Sequence, residues 1–321
     1  MSFDVKLLKD SITAENKRLR TFQLRYPRFI HAELMTHRMF SRNASSSRAI
    51  PVQRMIQDIL DDPATPIHWG ANQPGMQARS ELTAEDAHRG YLAWISARDD
   101  AVKHAEYLNT IGAHKQIVNR ILEPFMHINV VLSSTDLANF YALRNHEDAQ
   151  PEIRHLAQMM FMAQEVSVPK LLHPGDWHLP YITDDDITDI VDRCLKDRIT
   201  RDMPDWDKEV LPILIKVSVA RCARVSYKLH DGSNSSIEKD IELHDRLLDS
   251  VPLHASPAEH QATPDTKRYQ YLPFEHVVQE NPTITAVGFD REQIWEYPNE
   301  HGNLKGWRQY RKTLLKEYVP G

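Results

Sequence analysis

Between Thr36 and Arg48 the chain reads Thr-His-Arg-Met-Phe-Ser-Arg-Asn-Ala-Ser-Ser-Ser-Arg. These residues hold three guanidiniums, one imidazole, one amide and five hydroxyls, with no acid and no glycine. Arginine forks pair with phosphate oxygens two at a time, and neighbouring hydroxyls fill the remaining lone pairs. The pattern points to recognition of an anionic ligand by His37, Arg38, Ser46 and Arg48; a plain basic surface loop is the competing reading.

A second group comprises Arg144, Gln150, Glu152 and Arg154, in Ala-Leu-Arg-Asn-His-Glu-Asp-Ala-Gln-Pro-Glu-Ile-Arg. Alternating charges of this kind also arise as surface ion pairs near helix ends. Arg120 interrupts an apolar stretch, Ile117-Val-Asn-Arg-Ile-Leu122, and either lies on the outer face of a helix or reaches a ligand. His254, Glu259 and His260 lack the HExxH spacing and have no cysteine beside them, so no metal site is expected. Neither Cys194 nor Cys222 has an evident activating neighbour in sequence. No Gly-x-Ser-x-Gly elbow, GxGxxG turn or Walker loop occurs.

The chain of 321 residues suffices for one large domain or two modest ones, and its 41% hydrophobic content supports a buried core. A net charge of -6 argues against binding a nucleic-acid polymer, so the basic cluster is a local device. With no apolar run near membrane-spanning length and no signal-peptide pattern, no membrane partner is expected. Two cysteines suit a reducing compartment, and the expected location is cytoplasmic.

Alternation of polar and apolar residues predicts strands over 3–8 and 18–24. Pro27 opens a short helix that delivers His37 and Arg38 to its C-terminal end, and 42–51 reads as loop. Thr83 starts a long helix with an acidic first turn, and residues 114–122 read as a second one. Ile128–Leu132 is a buried strand or a helix end. Thr135 caps a helix bearing Asn139 and Arg144, and Pro151 begins another that runs to about Val166. Residues 173–182 form a loop, 211–225 a buried helix, and Ser235-Ser-Ile-Glu238 a capping box for a helix ending near Leu248. Residues 261–305 read as irregular with strand-like pieces such as 283–288, and Gly306-Trp-Arg-Gln-Tyr-Arg311 as a helix start.

These motifs resemble a known family. His37-Arg38-x7-Ser46 is similar to the RHR-x7-S signature of the flavin-dependent thymidylate synthases, the ThyX family. The run from Asn139 to Arg154, with Arg144 and Ala149-Gln150-Pro151-Glu152-Ile153, resembles that family's Asn-Phe-Leu-x-Leu-Arg and Ala-Gln-x-Glu-Ile block. Arg120-Ile-Leu-Glu-Pro124 is similar to its Ala-Arg-x-x-Leu-Pro segment. A third match is out of order: Ala223-Arg-Val-Ser-Tyr227, Glu238-Lys-Asp240 and His254-Ala-Ser-Pro-Ala-Glu-His260 resemble the family's amino-terminal block. This order suggests circular permutation, which costs little when the original termini are close together; a duplication with a decayed copy is the rival account.

The resemblance implies an α+β (mixed α/β) fold, a central sheet with flanking helices. It implies a core over 1–170, a linker region over 171–205, and the permuted block plus an extension over 206–321, packed into the same domain. It implies a homotetramer using FAD, dUMP, methylenetetrahydrofolate and NADPH. By position, Thr36, His37, Arg38, Ser133, Asn139, Ser226, His254 and Ser256 would touch FAD. Glu33, Ser45, Ser46, Ser47, Arg48 and Arg120 would surround the nucleotide, and Arg144 would contact the uracil ring as the catalytic residue. The implied activity is reductive methylation of dUMP to dTMP. Alternatives are a flavin- and folate-dependent methylase or hydroxymethylase of another pyrimidine nucleotide, and a non-catalytic nucleotide- or RNA-binding protein. Three departures bear on substrate: Thr36 replaces an arginine, Ala44 an acid, and Glu33 a glutamine.

Overall fold

Alternation in Arg-Leu-Arg-Thr-Phe-Gln-Leu-Arg-Tyr-Pro makes one strand with two different faces. In the computed structural model this is β2 (Arg18–Pro27), at the centre of a five-stranded sheet. The structure describes residues 3–77, 79–196, 202–226, 235–250, 253–271, 291–315 and 317. β2 pairs antiparallel with β1 (Asp4–Ile12) on one side and β4 (His127–Ser134) on the other. β3 (Ser41–Ala44) extends the sheet beyond β4, and the two-residue β5 (Lys170–Leu171) runs parallel to β1 at the far edge. The architecture is mixed α/β, with helices flanking a central sheet.

One sheet face is apolar. Phe22, Leu24 and Tyr26 stand opposite Leu132, Val130 and Ile128, and all six are buried. α6 (Pro151–Glu165) covers them with Ile153, Leu156, Ala157 and Met160, whose spacing forms one helical stripe. α5 (Ala138–Arg144) adds Phe140 to the same cluster.

The opposite face carries Leu19, Thr21 and Gln23, and the last third of the chain covers it. α8 (Leu211–Ala223) places Cys222 against Val131, and the turn Ser256–Glu259 and β6 (Ala262–Pro264) follow. β7 (Lys267–Tyr271) and β8 (Arg291–Trp295) pair with each other, β6 pairs with β9 (Trp307–Gln309), and Leu19, Ala262 and Trp307 share a fully buried cluster. α7 (Asp184–Lys196) and α9 (Ile237–Leu248) pack around α8. A separate helical layer joins α2 (Val52–Asp61), the long α3 (Ala84–Thr110) and α4 (Lys115–Val118) through Met55, Ile59, Ala105 and Leu122.

Several local expectations are revised. Residues 41–44 form a strand, because β4 offers them a free edge that outweighs serine's turn preference. The helix expected over 114–122 is only the single turn of α4, followed by the 3-10 turn Glu123–Phe125 with Pro124 inside it. The cap of α9 is Ser236, whose hydroxyl accepts from Lys239 N at 3.4 Å, so Glu238 does not complete a capping box. The aromatic-basic end is strand β9 before one helical turn, Tyr310–Thr313. Residues 283–288 lie outside the described residues.

Candidate functional site

Proline ends β2, because Pro27 offers no ladder N–H. The chain turns through Arg28–Ile30 into α1 (His31–Met35), and Ile30 and Leu34, four apart, pin that turn to the core. Thr36 and His37 then leave the helix at a fixed place. Arg42 closes the return to β3, with Nη1 donating to the carbonyls of Met35 (3.0 Å) and His37 (3.3 Å). One of the three signature guanidiniums is therefore a staple. Arg38 and Arg48 are exposed, and neither makes an ion pair among the described residues.

α5 brings Arg144 to this turn from 107 residues away. Its Nε donates to His37 Nε2 at 3.0 Å, Nη2 to Thr36 Oγ1 at 3.3 Å, and Nη1 lies 3.4 Å from Glu33 Oε2. Accepting at Nε2 puts the imidazole proton of His37 on Nδ1. Burial lowers the pKa of His37, and the charges of Arg144 and Arg42 lower it further, so the ring is neutral. Phe40 stacks on that ring and Phe140 meets it edge-on at 5.0 Å. Burial raises the Glu33 carboxyl; Arg144 opposes the shift and Glu152 adds to it.

Glu33 and Arg144 line a cleft of about 1220 Å³. Its other walls come from Phe29 and Trp94, from the N-terminal end of α6, and from residues within 66–77 together with Arg79. Glu152 is buried and accepts from Ile67 N at 3.0 Å, tying that wall to α6. Arg154 faces the cleft with a buried Nε that has no hydrogen-bond partner among the described residues. The surface-ion-pair reading of this group thus fails for Glu152 and Arg154, because the stretch caps a helix that packs on the core.

The serine cluster divides. Ser45 belongs to the β4 edge, its hydroxyl accepting from Asn129 N. Ser46 is half-buried and Ser47 buried. Ser47 Oγ donates to Glu123 Oε1 at 2.8 Å, the same oxygen that Arg28 (3.1 Å) and Arg120 (2.9 Å) approach. Arg120 is thus an exposed side chain held by Glu123, a carboxylate that sequence reading did not single out.

The C-terminal residues meet the opposite sheet face. Ser256 Oγ donates to Asn43 Oδ1 at 3.3 Å, and Asn43 donates to the Cys222 carbonyl at 2.8 Å. Ser133 is fully buried, away from Arg144's cleft, in a hydrogen-bonded chain that runs across the sheet. Ser11 Oγ meets His178 Nδ1 (2.9 Å), His178 Nε2 meets Thr21 Oγ1 (2.8 Å), Thr21 meets Ser133 Oγ (2.6 Å), and Ser133 meets His260 Nδ1 (2.9 Å). Burial drives the His260 pKa down to about 3 and that of His178 well below its usual value. Sequence reading missed Ser11, Thr21 and His178; single polar residues at inward strand positions carry no spacing signal. Asn139 and His254 are exposed, and Ser226 ends the 3-10 turn Arg224–Ser226. Among the described residues, no three His, Cys, Asp or Glu gather as a metal would require, and no helix is long and apolar enough to cross a membrane.

Residues 19–170 match the family model described as thymidylate synthase complementing protein. No curated protein matches the chain. Similar solved structures include the UMP/dUMP methylase PolB from Streptomyces cacaoi bound with 5-Br UMP, at 17% identity and TM-score 0.42, covering 51% of this chain and 88% of that one. The same enzyme bound with 5-Br dUMP gives 18% identity and TM-score 0.44 over 51% of this chain and 90% of that one.

Proposed function

Through residues 19–170 the chain belongs to the thymidylate synthase complementing protein family, and on that premise we propose that it methylates C5 of a pyrimidine nucleotide, dUMP to dTMP. The one-carbon donor is methylenetetrahydrofolate and the electrons come from NADPH through FAD. The observation that carries this reading is the convergence of Arg144 with His37, Thr36 and Glu33 at the mouth of one cleft.

The donor set around the signature suits FAD. Arg38 is exposed without an ion pair among the described residues, and Met35 and Met39, which flank it in the sequence, are exposed as well. An exposed guanidinium among exposed apolar residues is of the type that holds a diphosphate joined to a flat ring. Asn139 and His254 are further exposed candidates to hold it. When bound, reduced FAD supplies hydride and relays the one-carbon unit.

The chain's own residues do the rest. C5 of uracil becomes nucleophilic when negative charge on the ring is stabilised, and the Arg144 cation stabilises that charge without giving up its own proton. His37 holds the guanidinium from behind as a neutral acceptor, so the cation is aimed before substrate arrives. Arg48 and Ser46 supply a phosphate contact outside the ring site, while Ser47 and Arg120 shape it through Glu123. No protein nucleophile is required: the Cys222 thiol is buried and its pKa is pushed up.

The arrangement also supports circular permutation, because the 254–260 segment lies against β3 and β4 beside the signature. The exposed apolar side chains of Met35, Met39 and Leu143 around the site support a homotetramer whose neighbouring subunit closes it. A cytoplasmic location follows from the substrates.

The test is the visible spectrum of the purified protein, then incubation with FAD, NADPH, methylenetetrahydrofolate and dUMP and mass analysis of the product. A flavin band and dTMP are expected. Reduced flavin with no dTMP would remove the dUMP assignment, and a colourless protein that binds nucleotide would favour a non-catalytic binder.

A further inference from the structure

Arg144 has five N–H groups. Three are committed, to His37, Thr36 and Glu33. The polarity at Thr36 is fixed, because its hydroxyl donates to the Glu33 carbonyl at 2.7 Å and so accepts from Arg144. Two N–H groups, one on each terminal nitrogen, have no acceptor among the described residues, and Arg144 lines the cleft that Glu33 also lines. Glu33 gives only Oε2 to Arg144, and Oε1 accepts no hydrogen bond among the described residues. Seen from the cleft, the edge therefore reads donor, donor, acceptor.

A cytosine ring presents O2 and N3 as acceptors and its 4-amino group as donor. A uracil ring presents acceptor, donor, acceptor. Resting on the pyrimidine-nucleotide reading above, we infer that the base site takes 4-aminopyrimidine (cytosine) nucleotides as well as uracil nucleotides, and that Glu33 is the residue that admits them. Cytosine O2 and N3 accept the two free N–H groups of Arg144, and the amino group donates to Glu33, so every guanidinium proton is used. Uracil in that register sets N3–H against an N–H and O4 against a carboxylate. It fits only when shifted by one ring position, with O4 on Arg144 and N3–H on Glu33, which leaves one guanidinium N–H without an acceptor. A buried polar group left unpaired is what gives such sites their discrimination.

The experiment is calorimetric titration of the full chain with dCMP and with dUMP at pH 8, well above the ordinary carboxylate range, repeated on E33Q. In E33Q, Arg144 pins the amide oxygen and turns the NH2 toward the ring, where it suits O4 and opposes a 4-amino group. A wild-type Kd for dCMP tighter than, or within tenfold of, that for dUMP supports the inference. So does a fall of at least tenfold in the dCMP-to-dUMP affinity ratio in E33Q. A dCMP Kd more than tenfold weaker in the wild type, or an E33Q change equal for both nucleotides, overturns it and leaves the nucleotide reading standing. Binding of neither nucleotide overturns that reading and this inference with it. If E33Q does not fold, as judged by its thermal midpoint, the wild-type ratio decides.

Discussion

Replacing Arg144 by alanine separates ring chemistry from architecture. The substitution removes three side-chain contacts, at 3.0, 3.3 and 3.4 Å. The ion pair with Glu33 is long, and its partners are 22% and 33% exposed, so it adds little to stability. The bond to His37 counts for more, because His37 is 8% exposed and its Nε2 would lose its donor. A cost of about 1–2 kcal/mol follows, small enough to leave the protein folded. Loss of a preorganised cation at developing charge costs on the order of 10²–10³ in turnover. Arg144→Ala should therefore keep its flavin, measured as absorbance per protein after desalting, while single-turnover dTMP formation collapses. His37 offers an independent readout: with one positive neighbour gone its pKa should rise, which NMR titration of the ring reports. Equal loss of flavin and turnover would show a structural role for Arg144, and an unchanged His37 titration would contradict the contact itself.

Acid should destabilise the fold early. His31 and His127 titrate near about 4 and His260 near about 3 in the folded chain, each lowered chiefly by burial. Because these values lie below the unfolded value, the unfolded state takes the proton first. Stability is then full above pH ~6.5 and falls by about 1.4 kcal/mol per pH unit per group as pH drops toward 4. Urea midpoints at pH 8, 6.5 and 5 test this, and equal midpoints would refute it. Glycine to alanine inside a helix ordinarily stabilises by up to about 1 kcal/mol. At Gly90 in α3, however, a Cβ would lie 2.9 Å from Trp69 Cε3 and Cζ3. Gly90→Ala should lower the thermal midpoint and alter the near-UV spectrum; a raised midpoint would show that the wall at residues 66–77 yields freely. His254→Ala should weaken FAD affinity in a fluorescence titration, and unchanged affinity would count against permutation.

Periodicity made much of this fold legible. Alternation in 18–24 marks the central strand, and Pro151 with the stripe Ile153, Leu156, Ala157 and Met160 marks the helix that covers it. The Thr36–Arg48 stretch also stood out from residue types alone, as guanidiniums and hydroxyls gathered without an acid. What each of those residues does depended on the partners that folding placed beside it. Arg42 became a staple, while Arg38 makes no ion pair among the described residues, a distinction that rests on which carbonyls the turn exposes. Ser47 was drawn to Glu123 and Ser133 was buried beneath His260, contacts between residues 76 and 127 positions apart that local pattern cannot encode, whereas Arg120 meets the same carboxylate only three residues along the chain. The pairing of Glu33 with Arg144 is of the same kind: sequence supplies a carboxylate and a guanidinium, and only the packing of α5 beside α1 turns them into a single edge facing a cleft.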